Sequence, residues 1–302
     1  MTETSEIFDR QLLHTRRARQ ARRLARGRDD GALPDFLLAH AVEDVMERLA
    51  MIKRRFSQAL SIGSYHGVMA QKLAAAGVDS VVETDPVAEL LALGGAREGA
   101  VVASEEALPF AAGTFDLAVS VLSLQYANDL PGALAQIQKL LKPDGLFVGV
   151  VLGGATLGEL RQAMLAAEAE VTGGASPRVM PFVDIRDAGG LLQRAGFALP
   201  VSDAEQLTVT YRSALDLMRE LKAMGATNVL HERSRAPVTR GLLLRAAEIY
   251  AERFPAADGD GRVAATFELV ALTGWSPDAS QQQPLRPGSA QVSLADVLKP
   301  RG

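Results

Sequence analysis

The sequence predicts an α/β fold in which a mostly parallel sheet is covered by helices on both faces and closed by an antiparallel strand. Three observations carry this. Short apolar runs alternate with helical segments through the first half of the chain, as strands buried on both faces require. A strand, glycine turn and helix follow one another at Ala59-Leu60-Ser61-Ile62-Gly63-Ser64-Tyr65-His66-Gly67 and on through Val68 to Ala76. The next apolar run, Ser80-Val81-Val82-Glu83-Thr84-Asp85, ends in an acid.

Taken in order, the elements each have a local reason. Asp35, after Pro34, is placed to cap a helix in which Leu37, Leu38, Ala41, Val42, Val45, Met46 and Leu49 recur at helical spacing. The glycine turn between Ile62 and Val68 lets backbone approach a ligand, and the helix behind it points free N–H groups the same way. G-x-G-x-x-G would mark a dinucleotide site; here only Gly63 and Gly67 stand, with Ser64, Tyr65 and His66 between them. An acid ending the second strand can accept from two vicinal ribose hydroxyls, which makes Asp85 the first candidate and Glu83 the second. As a surface acid, it would simply cap the next helix.

A third strand is expected near Val101 to Ala103 and a fourth over Gly113 to Ser120. Asn128-Asp129-Leu130-Pro131 signals a helix start, running to Leu141. Lys142-Pro143-Asp144-Gly145 reads as a turn before an apolar fifth strand, Leu146 to Leu152. A helix over Thr156 to Val171 and a short one around Leu191 and Leu192 follow. Strand-like segments come next at Leu199 to Ser202 and Gln206 to Tyr211. Helices at Ala214 to Met224 and Arg240 to Phe254 precede a strong strand, Ala265 to Trp275. We read residues 212–262 as a helical insertion in the closing hairpin, a lid on the substrate side. The chain then divides into a basic segment, 1–33, the α/β domain, 34–275, and an extended tail, 276–302, rich in Gln, Pro, Gly and Ser.

Composition sets outer limits. Of 302 residues, 48% are hydrophobic and 23% charged, an ordinary globular balance. Without cysteine there are neither disulfides nor thiolate metal sites. A net charge of -4 gives no general attraction to nucleic acid. Yet Arg10, Arg16, Arg17, Arg19, Arg22, Arg23, Arg26 and Arg28 crowd the start. Glu3, Glu6 and Asp9 argue against a transit peptide, which leaves a helix docking on a membrane or protein, or a solvated basic helix. His14, His40, His66 and His231 form no H-x-D or H-x-E pair, so a facial-triad iron site is unsupported.

Leu108-Pro109-Phe110, Thr114-Phe115-Asp116-Leu117 and Leu141-Lys142-Pro143-Asp144-Gly145, following the glycine turn in this order, resemble the Rossmann-like class I methyltransferase fold. One branch is matched along nearly the whole chain. Ile7-Phe8-Asp9-Arg10, Gly153-Gly154, Glu159-Leu160-Arg161, Gly173-Gly174, Ser176-Pro177 and Arg194-Ala195-Gly196-Phe197 are similar to it. So are Met224-Gly225 with Asn228, Ala265-Thr266-Phe267, Gly274-Trp275 and Pro287-Gly288-Ser289-Ala290. That branch is the mitochondrial complex I assembly factor of methyltransferase fold and its alphaproteobacterial relatives; a biotin-pathway methyltransferase acting on an acyl carrier is more distant.

The resemblance implies S-adenosylmethionine as cofactor and a protein substrate or partner in respiratory complex I, with hydroxylation of an arginine at the quinone site as the family's associated activity. The candidate cofactor residues are Ser61, Gly63, Ser64, Tyr65, Gly67, Asp85, Ser104, Glu105 and Ser120. Ser61 and Ser104 stand where the family carries acids, and Tyr65 stands where it carries a glycine. Each departure weakens binding by on the order of 1 kcal/mol. Three functions follow as alternatives: a cofactor-dependent protein-modifying enzyme, a non-catalytic assembly factor, or a small-molecule or acyl-carrier methyltransferase. With Ile7-Phe8-Asp9-Arg10 so near the start, the expected setting is the bacterial cytoplasm, peripheral to the inner membrane through the arginines.

Overall fold

The computed structural model describes residues 6–26, 35–95, 99–257 and 259–282. Pro34, the tail beyond residue 282 and the Pro287-Gly288-Ser289-Ala290 motif lie outside them.

Seven strands form one sheet in the order β3-β2-β1-β4-β5-β7-β6. They are β1 (Gln58–Ile62), β2 (Ser80–Asp85), β3 (Ala100–Val102), β4 (Phe115–Val121), β5 (Leu141–Leu152), β6 (Ala198–Tyr211) and β7 (Val263–Trp275). The first five are mutually parallel, while β7 runs antiparallel to both β5 and β6. Nine helices accompany them among the described residues: α1 (Arg10–Ala25), α2 (Phe36–Met51), α3 (Val68–Ala75), α4 (Ala88–Leu93), α5 (Leu130–Leu140), α6 (Gly158–Thr172), α7 (Ile185–Arg194), α8 (Ala214–Ala223) and α9 (Arg240–Arg253). The mostly parallel sheet and its antiparallel closing strand are as the sequence predicts.

Alternation along β5 explains why its sequence is apolar throughout. Leu146, Val148, Val150 and Leu152 enter the core built with α2, α6, α8 and α9. Phe147 and Val151 enter the opposite core, under α5 and α7. Both faces are dry, so neither parity can be polar.

Several local readings change. The two strand-like segments after α7 are one strand, paired with β7 from Ala198 to Tyr211 with one irregularity between Ala198 and Val201. Asp203 and Glu205 look like a break, but β6 is an edge strand where charge is tolerated; they bind Arg48 and His40. The Lys142–Gly145 turn is absorbed into β5 as a register shift between its pairings at Leu141 and Leu146, with Asp144 at φ 58. Asp35 does not cap α2, since its side chain makes no capping hydrogen bond; it faces the cleft described below. Asp129 does cap α5, accepting from Gly132 N–H at 2.9 Å.

The basic N-terminal segment, set apart by charge in the sequence, is built into the body over residues 7–26. Phe8 bridges Leu230 and packs edge-on against Tyr126 at 6.2 Å. Asn128 accepts from Phe8 N–H and donates to the Phe8 carbonyl. Asp9 caps α1 by accepting from Leu12 N–H. This gives the Ile7-Phe8-Asp9-Arg10 motif a structural role: it zips α1 onto the carboxyl edge of the sheet.

Candidate functional site

The carboxyl ends of β1, β4 and β5 open onto one cleft, where ligands sit in open α/β sheets, with the end of β2 packed beside it. Gly63 leaves β1 at φ +64, and a Cβ there would lie 2.0 Å from Ser123 Oγ, so no side chain fits. Gly67 precedes α3 at φ +80, a left-handed conformation that costs glycine little. Between them Tyr65 adopts φ 55 without that freedom. Its backbone N–H donates to Asp85 Oδ2 at 3.1 Å, and its hydroxyl donates to the Met224 carbonyl at 3.1 Å. These bonds hold the strained turn.

Asp85 is fully buried. Its other oxygen accepts from Val87 N–H at 2.8 Å. Burial raises its pKa to about 6, and the nearby Arg17 charge and the two N–H bonds hold back a larger rise. Such a carboxylate has lone pairs left for further donors, but it lies behind Tyr65 and outside the residues that line the cavity.

Glu105, also buried, has both oxygens engaged. Arg10 pairs with Oε2, and Ser123 Oγ donates to Oε1 at 2.5 Å. Burial opposes its charge, but Arg10 and Ser123 outweigh it and the pKa falls. Ser104 Oγ accepts from Arg10 at 3.1 Å. Ser64 Oγ donates to Glu83 Oε2 at 2.6 Å, while Ser61 Oγ lies 3.4 Å from Ser64 Oγ. Ser120 Oγ donates to the Ile62 carbonyl at 3.1 Å, bracing β4 against β1.

The structure thus brings Gly63, Tyr65, Gly67, Asp85 and Glu105 to one place, with Ser61 and Ser64 directly beneath. Ser104 and Ser120 are committed to protein partners. His66 Nε2 approaches Asp35 Oδ2 at 3.7 Å. Glu159, of the Glu159-Leu160-Arg161 motif, accepts from the Thr266 hydroxyl at 2.5 Å.

Sequence reasoning missed the residue that fills the cleft. Arg17 of α1 is 6% exposed and lines the cavity with Gly63, Tyr65, Ser123, Tyr126 and Met224. Its guanidinium carbon sits 4.8 Å from the Tyr126 ring centre and 5.8 Å from that of Tyr65. Burial works against the charge, but Tyr126, Asp85 and Tyr65 around it hold the proton. Its Nε makes no hydrogen bond. The remaining cavity is about 80 Å³.

Strand order, antiparallel β7 and a glycine-turn cleft with an acid on β2 define a methyltransferase-type α/β protein. Solved structures share that fold. A putative methyltransferase from Bacillus halodurans aligns with a TM-score of 0.55, covering 78% of this chain and 99% of its own at 17% identity. YcgJ protein from Bacillus subtilis gives 0.53, with 79% and 99% covered at 15% identity. A family model described as a methyltransferase domain matches residues 36–200, and the chain belongs to that family.

Within it, the chain is 37% identical over 296 residues to the arginine-hydroxylase NDUFAF5, mitochondrial, of Danio rerio, covering 97% of this chain and 90% of that protein. The Homo sapiens protein of the same name is 38% identical over 299 residues, covering 98% and 84%. A malonyl-[acyl-carrier protein] O-methyltransferase of Methylovorus sp. (strain MP688) is 38% identical over 204 residues, covering 68% and 62%. These findings bear out the resemblance read from the motifs.

Proposed function

We propose that the cleft binds S-adenosylmethionine and that the protein is a cytoplasmic factor modifying an arginine of a respiratory complex I subunit. The observation that carries the cofactor half is Asp85: a buried carboxylate at the carboxyl end of β2, beside a glycine turn and with pKa about 6. Asp85 would hold the ribose hydroxyls, and the Gly63 turn would admit backbone to the ligand. Bound there, S-adenosylmethionine supplies an electrophilic methyl group or an adenosyl scaffold. The arginine half rests on the similarity to proteins named arginine-hydroxylase NDUFAF5, and complex I rests on the motif resemblance alone. The insertion over residues 212–262 acts as the lid in this reading, supported by Met224 and Ala226 lining the cleft.

The acceptors fit an adenosyl group, but the room does not. A cavity of about 80 Å³ falls short of the roughly 300–1,000 Å³ of ligand pockets, so binding calls for the cleft to widen, with Arg17 among the side chains that would move. That observation favours a second reading, an assembly factor whose cleft is sealed by its own helix. An acyl-carrier methyltransferase is the third.

Calorimetric titration with S-adenosylmethionine and S-adenosylhomocysteine, on wild type and Asp85→Ala, separates the first two. Micromolar binding, around -8 kcal/mol, weakened in the variant, supports the cofactor site; no heat at millimolar ligand supports the sealed cleft. Mass analysis of products then distinguishes the chemistry: one oxygen on an arginine, one methylene on an acceptor, or no change.

A further inference from the structure

We propose that the cleft between α1 and α8 is a binding site for a phosphate-bearing anion. Arg16, Arg19 and Arg23 follow one another along α1 at spacings of three and four, so they share one helix face. Arg219 and Lys222 on α8 are three apart and share another. The two faces meet across a concavity of about 450 Å³ completed by Gln20, Ala223, Gly225 and Thr227, with no carboxylate among the described residues of the lining. A solvated basic face would diverge into water; here two basic faces converge.

Close backbone approach creates that convergence. Gly225 has φ +74, and a Cβ there would come within 2.6 Å of Gln20 Oε1, so the turn after α8 rests directly on α1. Arg16 is pinned in place, donating to Thr227 Oγ1 at 2.9 Å and to the Asn228 carbonyl at 2.7 Å. Both acceptors are neutral; the nearby acid acting on Arg16 is Asp9, which is itself paired with Arg233. Burial and the neighbouring Arg233 pull its pKa down, as happens to a cation held among cations.

Among the described residues Arg219 has an ion pair, with Asp216, but the arginine is well exposed and such pairs contribute little. Arg19, Arg23 and Lys222 have none. The remaining arginines of α1 are engaged elsewhere: Arg10 on Glu105 and Glu106, Arg17 in the cofactor cleft, and Arg22 on Glu89. In a protein of net charge -4, this leaves a concave surface with five cations, where among the described residues an acid is ion-paired only with Arg219.

A compact, multivalent oxyanion suits a concavity better than a flat protein surface does, because guanidinium forks match phosphate oxygens two at a time. A neighbouring cavity of about 530 Å³ shares Arg16 and Thr227, and adds Arg178, Arg233 and Arg235 over a floor including Met164 and Met218. An apolar portion joined to the phosphate would have a place there. The source is therefore a soluble phosphate compound or the headgroup of an anionic lipid.

Two probes on the full chain test this. Inorganic pyrophosphate is titrated by calorimetry, and vesicles of phosphatidylglycerol in phosphatidylcholine are used for co-sedimentation, both at constant ionic strength. The Arg19→Gln/Lys222→Gln variant removes one exposed cation from each helix. Lys53→Gln/Arg55→Gln removes the same charge from an exposed patch elsewhere. The expected result is binding of at least one probe, weakened tenfold or more in the first variant and unchanged in the second. Pyrophosphate without vesicles points to a soluble ligand, and vesicle binding that pyrophosphate competes away, or that pyrophosphate alone does not match, points to a lipid headgroup. Binding of neither probe, or equal weakening in both variants, overturns the site.

Discussion

Asp85→Asn separates what the cleft needs from what the fold prefers. The ordinary pKa of 3.8 rises to about 6 in the folded protein, chiefly through burial. The folded state therefore holds this proton to higher pH than the unfolded chain does. Between those two values the native state binds more protons, so stability falls as pH rises through the window, and the full penalty persists above it. A rise of about two units corresponds to about 3 kcal/mol.

Asparagine carries no charge and escapes this loss. It does turn an amide N–H toward the Tyr65 or the Val87 N–H, both of which now donate to Asp85. Losing one such bond costs about 1 kcal/mol at any pH. The variant should thus be less stable than wild type by about 1 kcal/mol near pH 4 and more stable by about 2 kcal/mol near pH 8. Urea denaturation of both proteins across that range, with matched m-values, reads the crossing directly. A stability difference that stays flat from acid to alkali would refute the account of Asp85 as a buried, strained charge. The same variant should lose cofactor affinity, the usual conflict between an active site and its own stability.

Tyr65→Gly should relieve the left-handed strain, about 1 kcal/mol, but lose a largely buried ring worth about 3–4 kcal/mol, for a net loss of about 2–3 kcal/mol. It should also enlarge the cleft, so S-adenosylmethionine should bind more tightly by calorimetry; unchanged affinity would mean that Tyr65 does not restrict the site. Gly63→Ala should destabilise strongly, because its Cβ would sit 2.0 Å from Ser123 Oγ and 2.2 Å from Ser123 Cβ. Adding Ser123→Gly should restore part of that loss and leave about 1 kcal/mol for the positive φ. Strictly additive effects in the thermal melts would show that the two residues do not collide.

Much of this architecture is legible in the chain because its signals are local. The glycine turn, the acid ending β2, the Asp129-Leu130-Pro131 helix start and the doubly apolar β5 each announce themselves within a dozen residues. What was illegible depends on partners far away in sequence. Asp203 and Glu205 look like loop residues until the edge position of β6 and its ladder with β7 are known. Asp35 looks like a cap until His66 is seen opposite it.

The arginines of α1 carry the sharpest case. Arg10, Leu13, His14, Arg17, Ala18 and Ala21 form a single inward stripe at helical spacing, with Leu13, Arg17, Ala18 and Ala21 buried. Two arginines interrupt its apolar pattern, so periodicity reads it as a basic solvated helix. Nothing within the helix reveals that Glu105 and Glu106, some ninety-five residues on, receive one arginine, or that Tyr65 and Tyr126 receive the other. A buried cation needs such partners to be tolerated at all. The inward arginines and the acids of the cleft therefore explain one another: Glu105 keeps its charge low in the proton scale because Arg10 is there, and Asp85 rises no further than about 6 because Arg17 is. The helix that seems appended by charge is the element that completes the electrostatics of the cleft, and any ligand entering must replace what Arg17 supplies.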